Sequence, residues 1–168
     1  MSSSRRGVLR ALGALVLPGS IALGGCGFEL RRAPKLPFRS IALVGFAPRS
    51  PLAQALRDQL ALQVEVVDDP ARADVVLQAL LDLRDKVVVA QTAASQVREF
   101  ELRVRITFLA HAPGGRELLP RTELMLTRDL SYAENNALAK EQEEAELYRD
   151  MQTDIVQQVL RRLASVSI

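Results

Sequence analysis

Ten residues constrain this chain more than any others. Glu99-Phe100-Glu101-Leu102-Arg103-Val104-Arg105-Ile106-Thr107-Phe108 alternates strictly between polar and apolar. Side chains on a β-strand point to opposite faces with period two. Phe100, Leu102, Val104, Ile106 and Phe108 therefore look one way, and Glu99, Glu101, Arg103, Arg105 and Thr107 the other. Such a strand is buried on one face only. It requires a sheet whose apolar face is covered by a second layer, which excludes an all-helical fold.

The flanking sequence supplies both the sheet and its cover. Val75, Leu77, Ala79, Leu81 and Leu83 form one row of a preceding strand, and Val76, Gln78, Leu80, Asp82 and Arg84 the other. Pro113-Gly114-Gly115 marks a hairpin turn into a third long strand. That strand runs to Tyr132, with Leu124, Leu126, Leu130 and Tyr132 on its apolar side and Arg128 interrupting them. Earlier, Ser40 to Phe46 is a short apolar run with β-branched content, read as a buried strand. Ser50 is suited to cap a helix and Pro51 to its first position, opening a helix to about Leu62 with Leu52, Leu56 and Leu60 on one face. Val64 to Val67 is a short extended piece before the turn at Asp68-Asp69-Pro70.

The last element is a long helix from Asn136 to about Ser165. Leu147, Met151, Ile155, Val159 and Leu163 recur every four residues along it. Glu141, Glu143, Glu144 and Glu146 lie in its first half and Arg161 and Arg162 near its end, an order that complements the helix dipole. The element order is β-α-β-β-β-α. It predicts an α+β two-layer sandwich, a four-stranded mixed sheet with two helices packed on one face. The first β-α-β unit should be a right-handed parallel crossover and the rest antiparallel.

The front of the chain obeys different rules. Arg5, Arg6 and Arg10 form a positive head, and Val8 to Leu23 is apolar or small. That run is shorter than the roughly 20 residues a spanning helix needs. Together they read as an export signal. Ser4 to Arg10 also resembles a twin-arginine motif, so two export routes stay open. Leu23-Gly24-Gly25-Cys26 resembles the bacterial lipobox, and Cys26 is the only cysteine. In that class of signals the thiol receives a diacylglycerol, the leader is cut before the cysteine, and the new amine is acylated. Stable attachment needs more than one such chain. Gly27 follows Cys26 where an aspartate would signal inner-membrane retention, which implies an outer-membrane address facing the periplasm.

The expected organisation is a removed signal peptide over 1–25, an acylated Cys26 with an extended tether over 26–38, and one domain over 39–168. Pro34 and Pro37 keep the tether extended. Its basic residues either meet anionic headgroups or are simply solvated, and composition leaves both open.

Removing the three leader arginines turns the formal +2 of the whole chain into 19 basic against 20 acidic side chains. A charge argument for nucleic acid as a partner therefore fails. No convergent set of reactive groups is visible, so no catalytic residue and no metal site is expected. His111 stands alone beside a turn. With Cys26 acylated no thiol remains, and no cofactor is implied beyond the covalent diacylglycerol and N-acyl chain on that residue.

Several stretches resemble a known family. Cys26 to Arg31, "CGFELR", is similar to the start of mature lipopolysaccharide-assembly lipoproteins of the LptE family, and Pro51 to Leu60 resembles their first helix. The most specific match is Arg128-Asp129-Leu130-Ser131-Tyr132 followed by Ala137-Leu138-Ala139-Lys140 and the long helix. The resemblance spans nearly all of the mature chain, although the central strands match only in pattern. It implies a non-enzymatic lipoprotein that plugs and helps assemble the LptD β-barrel and binds lipopolysaccharide on its way to the outer leaflet. By motif match Lys140 inherits a lipid-contacting role, and Arg98 is the candidate for a second contact. Arg103 and Arg105 are further candidates, but they share a face with Glu99 and Glu101, where cross-strand ion pairing competes. Arg128 is expected to pair structurally, with a glutamate early in the last helix. The opening "SIALVGF", helix and "ADVVLQALL" also resemble TolB-like domains and lipoprotein activators of cell-wall synthases. That alternative would give a module acting in cell-wall assembly.

Overall fold

The computed structural model describes residues 34–133 and 136–168. The leader, Cys26 and the tether as far as Ala33 lie outside them. The elements are β1 (Ser40–Val44), α1 (Pro51–Leu60), β2 (Glu65–Val67), β3 (Val75–Gln91), β4 (Val97–His111), β5 (Glu117–Ser131) and α2 (Ala137–Leu163). The mixed α+β architecture is as expected, but the sheet has five strands rather than four, in the order β2-β1-β3-β4-β5. The added strand is β2, whose three residues pair in parallel with Ser40, Ile41 and Ala42. Three residues are too few for a period of two to register. What makes them a strand is the parallel partner beside them. β1 is also parallel to β3, and β3, β4 and β5 form an antiparallel meander.

α1 begins for a local reason. The Ser50 hydroxyl accepts a hydrogen bond from the Ala53 N–H at 3.0 Å, and Pro51 stands at the first helical position. α1 stops at Leu60, two residues before the expected end, and Leu62 is exposed. Leu52, Leu56 and Leu60 are buried, as are Met151, Ile155, Val156, Val159, Leu160 and Leu163 of α2. They share one core with Ile41, Val75, Leu77, Leu102, Val104, Ile106 and Phe108 from the sheet. Each fully buried side chain of this size contributes about 1.5–3 kcal/mol. The β4–β5 turn is closed by Ala112 N–H to Arg116 C=O and Gly115 N–H to Ala112 C=O, both 2.8 Å.

Of β3, only Val75 to Gln78 pair with β1, so β3 runs on well past it with β4 as its single strand neighbour. Between those two regions the register slips: Ala79 opposes Phe108, but Leu81 opposes Thr107. Leu80 is the extra residue, and it is left exposed. A slip of one residue moves every later side chain to the other face. The expected row from Val75 to Leu83 is therefore broken. Leu81 and Leu83 share the outer face with Thr107 and Arg105, while Asp82, Arg84 and Lys86 share the helix-covered face with Ile106, Val104 and Leu102. A second slip leaves Val89 unopposed and exposed.

Candidate functional site

The slip at Leu80 puts cations beneath the N-terminal half of α2, where the apolar pattern alone would place leucines. The Arg84 guanidinium lies 3.6 Å from the centroid of the Tyr148 ring. The Tyr148 hydroxyl donates to the Asp85 carbonyl at 2.7 Å, and burial pushes its phenol above the ordinary value of 10.0. One helical turn earlier, Lys86 Nζ donates to Glu144 Oε2 at 2.6 Å and sits 4.2 Å from the centroid of the Phe100 ring. Phe100 in turn meets Tyr132 edge to face, with centroids 5.3 Å apart. This end of the sandwich is joined by cation–π contacts and ion pairs more than by aliphatic packing.

Lys140, on the first turn of α2, completes the group. Its Nζ donates to Ser131 Oγ at 3.1 Å and to Glu143 Oε2 at 2.7 Å, and its side chain is only 19% exposed. Lys86, Phe100, Tyr132, Lys140 and Glu144 line one cleft of about 130 Å³. Two ammonium groups from different layers, above an aromatic pair, suit a ligand that carries both negative charge and a flat or apolar surface.

The other expected contacts lie elsewhere. Arg98 is the residue skipped where Val97 opposes Gln91 and Glu99 opposes Ala90, and its side chain is exposed. Its carbonyl accepts the Tyr132 N–H at 2.8 Å, so it borders the cleft through its main chain. Arg103 and Arg105 point from the opposite face of the sheet and line a separate, smaller depression with Leu83, Asp85 and Met125. Arg103 bonds Glu101 at 2.5 Å, two residues away on its own strand and not across to a neighbour. Arg128 does not pair with an early glutamate. Glu143 and Glu144 are bonded to lysines, and Arg128 reaches Asp154, in the second half of α2, at 3.8 Å. Both of those side chains are substantially exposed, and such a pair contributes little.

Lys86 was not singled out from the sequence. The signal was the polar series Asp82, Arg84, Lys86 in step with the strand, which reads as a solvent face until Leu80 slips the register. Among the described residues there is no group of three or more His, Cys, Asp or Glu that could hold a metal ion. His111 closes β4, its Nδ1 2.8 Å from the Ala112 carbonyl.

This two-layer α+β domain belongs to one class of protein, the lipoproteins of lipopolysaccharide assembly. The family model described as LptE, lipopolysaccharide-assembly, matches residues 38–163. The chain belongs to the LptE family. It is 29% identical over 151 residues to the LPS-assembly lipoprotein LptE of Pectobacterium atrosepticum, a match covering 85% of this chain and 79% of that protein. The corresponding protein of Yersinia enterocolitica is 30% identical over 153 residues, covering 87% and 72%. The solution structure of an uncharacterized lipoprotein B from Nitrosomonas europaea superposes with a TM-score of 0.69 at 30% identity, covering 83% of this chain and 91% of that one. The rare lipoprotein B of Shewanella oneidensis shares the fold, with a TM-score of 0.60 at 24% identity over 76% of this chain and 95% of that one. The family match includes β1, α1 and the start of β3, the segments on which the likeness to TolB-like and synthase-activating modules rested.

Proposed function

We propose that this LptE-family protein is anchored in the outer membrane through acyl chains on Cys26, fills and helps assemble the LptD β-barrel, and binds lipopolysaccharide in transit. The match to the LptE family over residues 38–163 is the observation that carries this reading. The geometry supports it in two ways. The sheet face away from the helices mixes Glu101, Arg103, Arg105, Thr127 and Asp129 with Leu83 and Met125, a surface compatible with the polar lumen of a large barrel. Lys140 lines a cleft that also holds a second cation, Lys86, and the aromatic rings of Phe100 and Tyr132.

Purification of the full chain from its native envelope in mild detergent is expected to bring the barrel with it. Lys140→Asp is expected to weaken lipopolysaccharide binding about tenfold or more, since it replaces a cation with an anion, while circular dichroism stays unchanged. Purification without a barrel would refute the plug. Undiminished binding in the variant would remove Lys140 from the lipid site.

A further inference from the structure

The two lysines of the cleft rest on the protein's own carboxylates. Lys86 reaches it from β3, turned inward by the slip at Leu80, and Lys140 from the first turn of α2. Their partners, Glu144 and Glu143, are adjacent on α2. With Glu141 also lining the cleft, three carboxylates stand against two ammonium groups, so the resting site repels anions. We infer that Lys86 and Lys140 form one two-pronged phosphate site, closed at rest by Glu144 and Glu143, which a phosphorylated glycolipid headgroup opens by taking their place. This inference rests on the reading that the domain binds lipopolysaccharide. It adds a second cation, a ligand group and a release step.

The exchange is chemically balanced in favour of phosphate. A phosphomonoester carries about −1.5 to −2 charge at neutral pH and three strong acceptor oxygens, against one charge and two oxygens for a carboxylate. The two glutamates differ in how easily they leave. Glu143 is 47% exposed and three residues from Lys140 on the same helix, so it can rotate into solvent at little cost. Glu144 is 22% exposed and bridges from helix to sheet. Lys140 is therefore the first contact and Lys86 the second. The helix does not depend on the Lys86–Glu144 bridge for its seat, because Tyr148, one turn on, fastens it to β3 through Arg84 and the Asp85 carbonyl. The edge-to-face pair of Phe100 and Tyr132 supplies an apolar surface for the face of the sugar that bears the phosphate.

The test is equilibrium binding of the full-length, detergent-solubilised chain to intact lipopolysaccharide, to enzymatically dephosphorylated lipopolysaccharide, and to intact lipopolysaccharide with inorganic phosphate as competitor. Lys86→Gln is expected to weaken binding of the intact lipid about tenfold, and Glu144→Gln to tighten it about threefold. A purely structural bridge would make the two variants change in the same direction, in thermal stability and in binding alike. Opposite signs on binding support the site. Should Lys86→Gln fold poorly, the sign of the Glu144→Gln effect decides alone. Competition by millimolar phosphate supports phosphate as the recognised group. Equal affinity for the dephosphorylated lipid overturns the inference. So does binding that responds to Lys140→Gln but stays within twofold for Lys86→Gln and Glu144→Gln. Failure of the unaltered protein to bind lipopolysaccharide at all would instead overturn the underlying reading.

Discussion

Replacing Gly45 by alanine tests the join between the two halves of the sheet. Gly45 follows the last residue of β1 at φ +75°, a conformation in which an L side chain costs about 1–2 kcal/mol. A Cβ there would also run into the Ala79 carbonyl oxygen and lie 3.3 Å from its carbon. Ala79 is where β3 is about to slip register, and it is main chain, so it cannot swing aside as a flexible side chain would. Forcing such a contact adds about 1–3 kcal/mol, for a total of about 2–5 kcal/mol. Gly115 is the control. Its φ is +85°, but nothing lies within 4 Å of a Cβ there, so Gly115→Ala should cost only the backbone term, about 1–2 kcal/mol. With a urea slope of about 1.5–2 kcal/mol per molar, the Gly45→Ala midpoint should fall by about 1–3 M and the Gly115→Ala midpoint by about 0.5–1 M, the former always the larger. Equal shifts would mean that the chain leaving β1 does not pass against the Ala79 main chain.

Two further outcomes follow from named hydrogen bonds. Tyr148→Phe keeps the ring under Arg84 and removes the 2.7 Å bond to the Asp85 carbonyl, so it should cost about 1 kcal/mol and lower Tm by about 3 °C; an unchanged Tm would mean that water already satisfies that carbonyl. Asp74 accepts from the Arg39 and Ser40 N–H groups at 2.9 and 3.0 Å, bonds that hold its carboxyl below the ordinary 3.8 and give stability that is complete above that value and lost as pH falls through the depressed one. Asp74→Ala should cost about 1 kcal/mol in urea melts at pH 7, discounted for exposure, and the gap to the unaltered protein should close on acidification below 3.8; a gap independent of pH would contradict the assignment.

The parts of the fold carried by uninterrupted periodicity were legible in the sequence. β4 alternates from Glu99 to Phe108 without a break, and its even residues from Leu102 to Phe108 are buried. The four-residue rhythm of Met151, Ile155, Val159 and Leu163 gave the buried face of α2 in the same way. Ser50 and Pro51 marked the start of α1 because a cap is a local chemical event. What depends on a neighbour was not legible. β2 needs β1 beside it, and the orientation of Leu81, Leu83, Arg84 and Lys86 depends on where β3 slips against β4. Nothing in "VVLQALLDLRDK" says that Leu80 is the residue left out. The cleft was half legible for the same reason. Lys140 came from a family motif, whereas Lys86 needed the register.

The same slip explains why the cleft lies where it does. Toward the parallel end, α1 and the last turns of α2 close over Ile41, Val75, Leu77 and Phe108, all fully buried, and disturbing one of them disturbs the whole core. Beyond Leu80 the helix-covered face of β3 offers charged groups, so the first turns of α2 are held by Glu144 on Lys86 and by Tyr148 on Arg84 and the Asp85 carbonyl. Contacts of that kind are individually modest, and their partners can be exchanged one at a time for water or for another anion. A ligand can therefore enter this joint by replacing a carboxylate without opening the aliphatic core. An unbroken apolar row along β3 would have sealed the joint with leucines, adding stability and leaving no place for a charged ligand. Leu80 and Val89, left exposed where the register slips, are what the strand gives up for that arrangement.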